Sequence, residues 1–429
     1  MITKARRKVR KTVGRTFKSL RVRNFRFFYA GQFISLSGTW MQAVAQSWLV
    51  LQLTGSGTAV GVAVAAQFTP MLIGGPWGGV IADRVDKRRA LIGLQAGSAG
   101  LAGLLGVLTS AGLANVWVVY ALAFFFGTVQ SIEVPTRQSF ILEMVGHDQV
   151  SNAVSLNSVL MNVSRVAGPA VAGVLIATVG IAACFYANAV SYLAVIVALY
   201  LMRPAELVRS EPVKREKGQL VEGFRYVWRT PAIRTTLVMM AAIGTLVFNF
   251  QTVLPVLAKL TFGGDAGTFA AFMSSMGAGA VAGGLVAANR EHPTHRALVI
   301  AAVALGALVS LSALSPTIPV AIAAFFLVGV AGTSFIAVGN ATLQVSSRPE
   351  MRGRVMALFA VAFLGSTPVG GPIVGYLSER FGARFALGVG GVAAIGGGIY
   401  GWLANRKFTG EDTNARYDVE EEVLAGATD

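Results

Sequence analysis

The sequence predicts an all-α membrane protein of twelve spans, arranged as two six-helix halves. Three observations predict it. Of 429 residues, 54% are hydrophobic and 13% charged, about half the charge a water-facing domain carries, and mean hydropathy is +0.62. The apolar residues fall in blocks of about twenty, the length that crosses roughly 30 Å of hydrocarbon as helix. The chain also repeats itself at a separation of just over two hundred positions.

The blocks lie at 27–52, 58–81, 90–110, 115–138, 152–178, 182–202, 234–257, 266–288, 297–314, 318–341, 355–377 and 383–404. They are too long and too evenly apolar for barrel strands, and backbone in lipid must satisfy its own hydrogen bonds, so each is expected as a helix. No short apolar stretch with a small-residue cleavage site opens the chain, so no signal peptide is expected. The single cysteine, Cys184, excludes an internal disulfide and suits a small apolar position in a helix.

The net charge of +16 raises nucleic acid as a partner, and its distribution argues against one. With both termini cytoplasmic, 32 of the 36 Lys and Arg fall on cytoplasmic joints. The opposite joints hold Lys259, Arg380 and Arg384, and Arg165 lies within a span. That asymmetry is the positive-inside pattern of a multi-pass cytoplasmic (inner) membrane protein. The basic arm, 1–26, carries Val13, Phe17 and Leu20 at helical spacing, an amphipathic stretch suited to anionic lipid headgroups.

The repeat sets the domain plan. Arg84 in GGVIADRVDKRRAL and Arg290 in GGLVAANREHPTHRAL are 206 positions apart, and Gly168-Pro169 and Gly371-Pro372 are 203 apart. Two halves, 27–202 and 234–404, are joined by a cytoplasmic loop, 203–233, and followed by a cytoplasmic tail, 405–429. Within the loop, Leu220, Phe224 and Val227 mark a helix lying on the membrane surface.

The segments FRFFYAGQFISLSGTWMQAVAQSWLVLQLTGS, GGVIADRVDKRRAL, NSVLMNVSRVAGPAVAG and LVEGFRYVWRTPAIR resemble major facilitator superfamily exporters. The chain is most similar to the branch of enterobactin exporters and macrolide efflux proteins, the transmembrane secretion effectors, across nearly all of 20–404. The resemblance implies the major facilitator fold, in which two parallel repeats enclose a site near the membrane midplane. It implies a gate contact between halves at Gly79, Asp83, Arg84, Arg88 and Arg89, with Asp83 facing the helix that follows Arg354. The alternative for these residues is a positive-inside anchor with an ordinary Asp cap. Asp86 stands where the superfamily turn has glycine, and Asn289 replaces the acid in the second copy. Gly168 and Pro169 in span 5, with Gly371 and Pro372 in span 11, resemble the glycine-proline motif of antiporters; packing glycines are the alternative. Phe124 occupies the position of the arginine in the span 4 antiporter motif.

Polar residues inside hydrocarbon are costly and carry functional information. Gln32, Ser35, Thr39, Gln42 and Gln46 share one face of span 1; Ser151, Ser155, Ser158, Asn162 and Arg165 share one face of span 5; Thr245, Asn249 and Thr252 do so in span 7. Such stripes line a cavity or bond neighbouring helices. The cavity reading places Gln32, Thr39, Gln42, Gln46, Asn162, Arg165 and Asn249 around bulky amphipathic compounds. Arg165 is 14 residues into span 5, about 21 Å along its axis, and cannot reach bulk water without a cavity. Glu133, 18 residues into span 4, is the proton-coupling candidate; a Glu133–Arg137 pair at the membrane surface is the alternative.

His147, His292 and His295 sit in joints without metal-ligand spacing, and no phosphate loop occurs. Neither enzyme activity, cofactor nor metal is expected. The expectation is a monomeric secondary exporter of amphipathic small molecules, driven by a proton gradient, with membrane lipids as its surroundings. Uptake or lipid movement by the same fold, and a non-transporting role in a secretion assembly, are the alternatives.

Overall fold

The computed structural model describes residues 18–208, 219–288, 294–363 and 365–408. The first half comprises α1 (Arg23–Thr54), α2 (Gly57–Arg84), α3 (Lys87–Ser110), α4 (Val116–Val145), α5 (Val150–Thr178) and α6 (Ile181–Tyr200). A connecting helix, α7 (Gln219–Arg229), precedes the second half. That half comprises α8 (Pro231–Leu246), α9 (Phe250–Val256), α10 (Ala266–Ala288), α11 (His295–Ala313), α12 (Ile318–Ser346), α13 (Arg352–Phe363), α14 (Thr367–Phe381) and α15 (Ala383–Phe408). The seventh span is α8 and α9 together, and the eleventh is α13 and α14.

Eleven of the twelve spans are long and apolar enough to cross a membrane among the described residues. The exception is α1, 32 residues long, whose amide and hydroxyl face lowers its hydropathy. Short polar joints stop and restart the helices. Gly55 ends α1 at φ 65°, a left-handed conformation that glycine takes without strain. Ser56 then accepts the N–H of Ala59 at 3.1 Å and caps α2. Asp86, in the usual glycine position of the turn, caps α3 through the N–H of Arg89 at 2.9 Å.

Packing repeats between the halves. Within the first, α2 packs on α4, α3 on α6, and α1 on α5 and α6; within the second, α10 packs on α12, α11 on α15, and α8 on α15 and the eleventh span. The halves meet along α2 with α14 and along α5 with α10, which are the same pair of positions in the repeat. The internal duplication is therefore one of packing as well as of sequence.

Three expectations change. Helix α4 runs to Val145 rather than 138, so Arg137 is a buried helical residue and not part of a joint. Spans 7 and 11, expected as single helices, are interrupted at 247–249 and at 365–366. In α7, Val227 is buried while Phe224 is exposed and stacked on Trp228 at 5.4 Å. The stripe at Val13 and Phe17, and Asn289, Arg290 and His292, lie outside the described residues.

Candidate substrate cavity

The site begins with a close approach of α5 to α1. A Cβ on Gly168 would lie 2.5 Å from the Ser37 carbonyl and 2.6 Å from Trp40 Cβ, so only glycine lets these helices touch here. The touch places Arg165, one turn earlier in α5, with its guanidinium 5.0 Å from the centre of the Trp40 ring. Pro169 cannot donate to the carbonyl of Arg165 four residues back. That carbonyl instead faces Gly277 of α10, where a Cβ would be 2.8 Å from it. The next carbonyl, of Val166, accepts the Ser274 hydroxyl at 3.2 Å. One glycine-proline step thus joins α5 to its own half on one side and to the second half on the other.

Between the halves lies a cavity of about 190 Å³. Trp40, Phe68 and Arg165 line it from the first half; Phe248 and Asn249 at the α8–α9 break, Met273 and Met276 of α10, and Phe363 and Thr367 at the α13–α14 break line it from the second. Both interrupted spans are interrupted at the cavity, and Phe248 and Phe363 meet edge to face there at 4.9 Å. Interrupted spans at mid-depth free backbone and side-chain groups for a ligand. Among the described residues, Arg165 is the only charged one that lines it. It forms no ion pair or side-chain hydrogen bond among the described residues, and its Nε is buried without a partner. On insertion scales an arginine at mid-membrane costs about 2.5–3.5 kcal/mol, and the Trp40 ring covers only one face of it. Asn249 gives its Nδ2 to the Thr245 carbonyl at 2.7 Å, which leaves its buried Oδ1 unpaired.

The halves are sealed to one side of the cavity. Call the end of the bundle that carries Arg84, Lys87, Arg88 and Arg89 the basic end; the seal is at the far end. A Cβ on Gly61 would lie 2.2 Å from the Gly371 carbonyl, and one on Gly375 would lie 2.4 Å from the Gly57 carbonyl. These are two glycine pairs at four-residue spacing on α2 and α14. Trp48 stacks on Phe269 across the halves at 6.4 Å, beneath Lys259 at 5.9 Å. Toward the basic end the halves diverge: the face of α5 that meets α10 at Arg165 and Val166 is exposed at Ser151, Ser155 and Ser158.

Of the residues the sequence singled out, Arg165 and Asn249 line this cavity, and Asn162 sits one turn below, its Nδ2 on the Ser158 carbonyl at 2.9 Å. Gln32, Thr39, Gln42 and Gln46 do not line it; the last three bond within the first half, and the Nε2 of Gln32 is buried without a partner. Gln42 accepts from Asn188 at 2.6 Å, Thr39 meets the Tyr192 hydroxyl at 3.1 Å, Gln46 reaches Gln67 at 3.5 Å, and Gln32 is buried. Polar groups in hydrocarbon find each other when facing helices both carry them, and α6 supplies Asn188, Ser191 and Tyr192. Glu133 is 4% exposed, and it forms the pair with Arg137 that the sequence offered as the alternative. Its carboxylate accepts from Arg137 Nε at 3.0 Å and Gln95 Nε2 at 3.4 Å.

At the basic end, Arg88 donates to the Leu199 carbonyl at 2.7 Å within its own half, and Arg84 and Arg89 are exposed. Arg354, expected opposite Asp83, is paired with Glu222 of α7 at 2.7 Å; the Asp83 side chain is outside what is described. Gly79 is half-buried, and its neighbour Gly78 makes the close approach, to the Ser131 carbonyl. Gly371 and Pro372 lie at the far-end seal. Sequence reasoning missed Trp40, Phe248, Phe363 and the seal partners Gly57 and Gly61. Aromatic residues and glycines are too common in this chain for any one to stand out.

Two pseudo-symmetric six-span halves around a cavity at their interface define a major facilitator transporter. The fold is shared with a bacterial homologue of the human lysosomal transporter Spinster, solved in an inward-facing and unoccupied conformation; the TM-score is 0.72, at 13% identity over 90% of this chain and 97% of that one. It is shared too with a POT family transporter in complex with a thioalcohol conjugated peptide, with a TM-score of 0.70 at 13% identity over 90% and 97%. The family model described as transmembrane secretion effector matches residues 14–428, and the chain belongs to that family.

Similar proteins include the staphyloferrin A transporter of Staphylococcus aureus, 28% identical over 61% of this chain and 66% of its own length. The multidrug efflux pump Tap of Mycolicibacterium fortuitum is 25% identical over 81% and 87%. The enterobactin exporter EntS of Escherichia coli is 24% identical over 82% and 85%. The matched segment takes in half the length of another relative, the uncharacterized transporter YfiS of Bacillus subtilis.

Proposed function

We propose that this protein is a secondary exporter that carries amphipathic small molecules across the cytoplasmic membrane by alternating access, with its basic end and both termini in the cytoplasm. The observation that carries the reading is the cavity at the interface of the halves, aromatic and methionine-rich, with one guanidinium and one unpaired amide oxygen. Closed at the far end and open toward the basic end, it suits loading from the cytoplasm. The names of relatives, a siderophore transporter, an enterobactin exporter and a multidrug pump, support export of such compounds. A proton gradient is the proposed drive, with Glu133 its candidate carrier because it is a carboxylate buried within α4.

The test is accumulation of a panel of fluorescent amphiphiles in cells with and without the protein, before and after a protonophore collapses the gradient. Lower accumulation on expression, abolished by the protonophore, is the expected result. Accumulation unchanged by expression across the panel overturns the export reading, and higher accumulation replaces it with uptake.

A further inference from the structure

Arg165 is a fixed positive charge in a cavity that offers it no negative one. Arginine stays protonated in proteins, and its planar guanidinium carries five N–H donors in a fork that fits a carboxylate or phosphate with two parallel bonds. Here Trp40 occupies one face at 5.0 Å, and Nε has neither a partner nor access to solvent. The acids nearest in the sequence pattern are engaged elsewhere: Glu133 with Arg137 at 3.0 Å, and Glu143 with Lys87 at 2.6 Å. A half-buried guanidinium with its Nε left unpaired stays under-solvated until an anion arrives. The rest of the lining, with Phe68, Phe248, Phe363 and Met276, offers flat apolar surface but no second charge.

We infer that the cavity selects anionic amphiphiles: a flat apolar body bearing a carboxylate or comparable oxyanion that Arg165 grips while Trp40 backs the guanidinium. This deepens the export reading and rests on it for the word substrate. Gly168 has a positioning role, because it holds Trp40 against α5 at the level where the guanidinium stacks. The selectivity follows from what each ligand leaves unpaired. A carboxylate relieves the orphaned guanidinium, a neutral amide relieves it in part, and an ammonium adds a second positive charge beside it.

The experiment is calorimetric titration of the full chain in phosphatidylcholine nanodiscs with three matched probes, 2-naphthoate, 2-naphthamide and 2-naphthylmethylammonium. Wild type should bind the carboxylate about tenfold or more tighter than the amide, as a charge-assisted bond predicts, and the ammonium most weakly. In Arg165→Gln the carboxylate-to-amide ratio should fall to near one, whereas Arg165→Lys should keep part of it. A wild-type ratio near one overturns the inference by itself, even where a variant fails to fold. So does an unchanged ratio in Arg165→Gln. Replacing part of the lipid with phosphatidylglycerol should leave naphthoate affinity unchanged; weakening would assign the natural anion to a headgroup and overturn the substrate assignment. Binding needs no transport, so the two readings fail separately. An anion preference in a protein that exports nothing sinks only the export reading, and export of neutral amphiphiles without that preference sinks only this one.

Discussion

Glu379, near the end of α14, caps the start of α2 in the other half: its Oε2 accepts the backbone N–H of Thr58 at 2.9 Å and the Ser56 hydroxyl. A carboxylate at a helix N-terminus satisfies donors that the helix cannot and meets the positive end of its dipole. At this end the two halves are thus joined by one acid in addition to the glycine contacts and the Trp48–Phe269 stack. Replacing Glu379 by Ala should favour far-end opening by about 1 kcal/mol, about fivefold in the open-to-closed ratio, since the group is solvent-exposed. Spin labels at Leu113 and Leu314, on far-end joints of the two halves, should show a larger long-distance population; identical distributions would remove Glu379 from the seal.

The glycine seal makes a sharper prediction. A methyl on Gly61 would lie 2.2 Å from the Gly371 carbonyl, whereas one on Gly93 would meet nothing within 4 Å. Gly61→Ala should destabilise the sealed form by about 1–3 kcal/mol, as overpacking does, while Gly93→Ala should be neutral or stabilising because alanine favours helix. Thermal unfolding in detergent and the same label distances distinguish the two; equal behaviour would refute the close approach.

Glu133 and Arg137 form a buried pair, so removing the acid has two consequences. Glu133→Gln should abolish efflux driven by an imposed pH gradient, and it should cost about 3–5 kcal/mol of stability by leaving Arg137 uncompensated. Combining it with Arg137→Met should restore the melting temperature without restoring efflux. Gradient-driven efflux that survives in the stable double variant would exclude Glu133 as the proton carrier.

At the far-end turn before α10, Asp265 accepts the Thr268 N–H at 2.9 Å and its hydroxyl at 3.0 Å. These bonds, led by the backbone one, hold its pKa below the ordinary 3.8. A folded pKa below the unfolded one gives stability that is complete above 3.8 and lost as pH falls through the folded value. Melting temperatures measured from pH 5 downward should decline less steeply in Asp265→Asn, which keeps the cap but does not titrate; parallel slopes would contradict the assignment.

The twelve spans, the duplication and the place of Arg165 and Asn249 at a cavity were legible in the sequence because each follows from a strong rule: apolar length, internal repetition, or a polar group where lipid forbids it. The amide stripe of α1 was misleading because periodicity states which residues share a face but not what the face meets; α6 answered it with Asn188 and Tyr192. The break at Phe248 and Asn249 left no local mark, since the prolines of that span are Pro231 at its start and Pro255, nearly two turns beyond the break. The Glu379 cap joins positions more than 300 residues apart, and no pattern within either half announces it.

The interruptions at Asn249 and beside Thr367 fall in the second half alone, while their counterparts in the repeat, α1 and α5, run unbroken. The two copies have therefore parted company mechanically. A molecule held as proposed at Arg165 would meet two continuous helices on one side, α5 lacking one hydrogen bond at Pro169, and two interrupted ones on the other. Strain from a badly fitting guest can be absorbed on only one wall, so variation in cargo shape should be accommodated by the copy that bends, and variation in charge judged by the copy that does not.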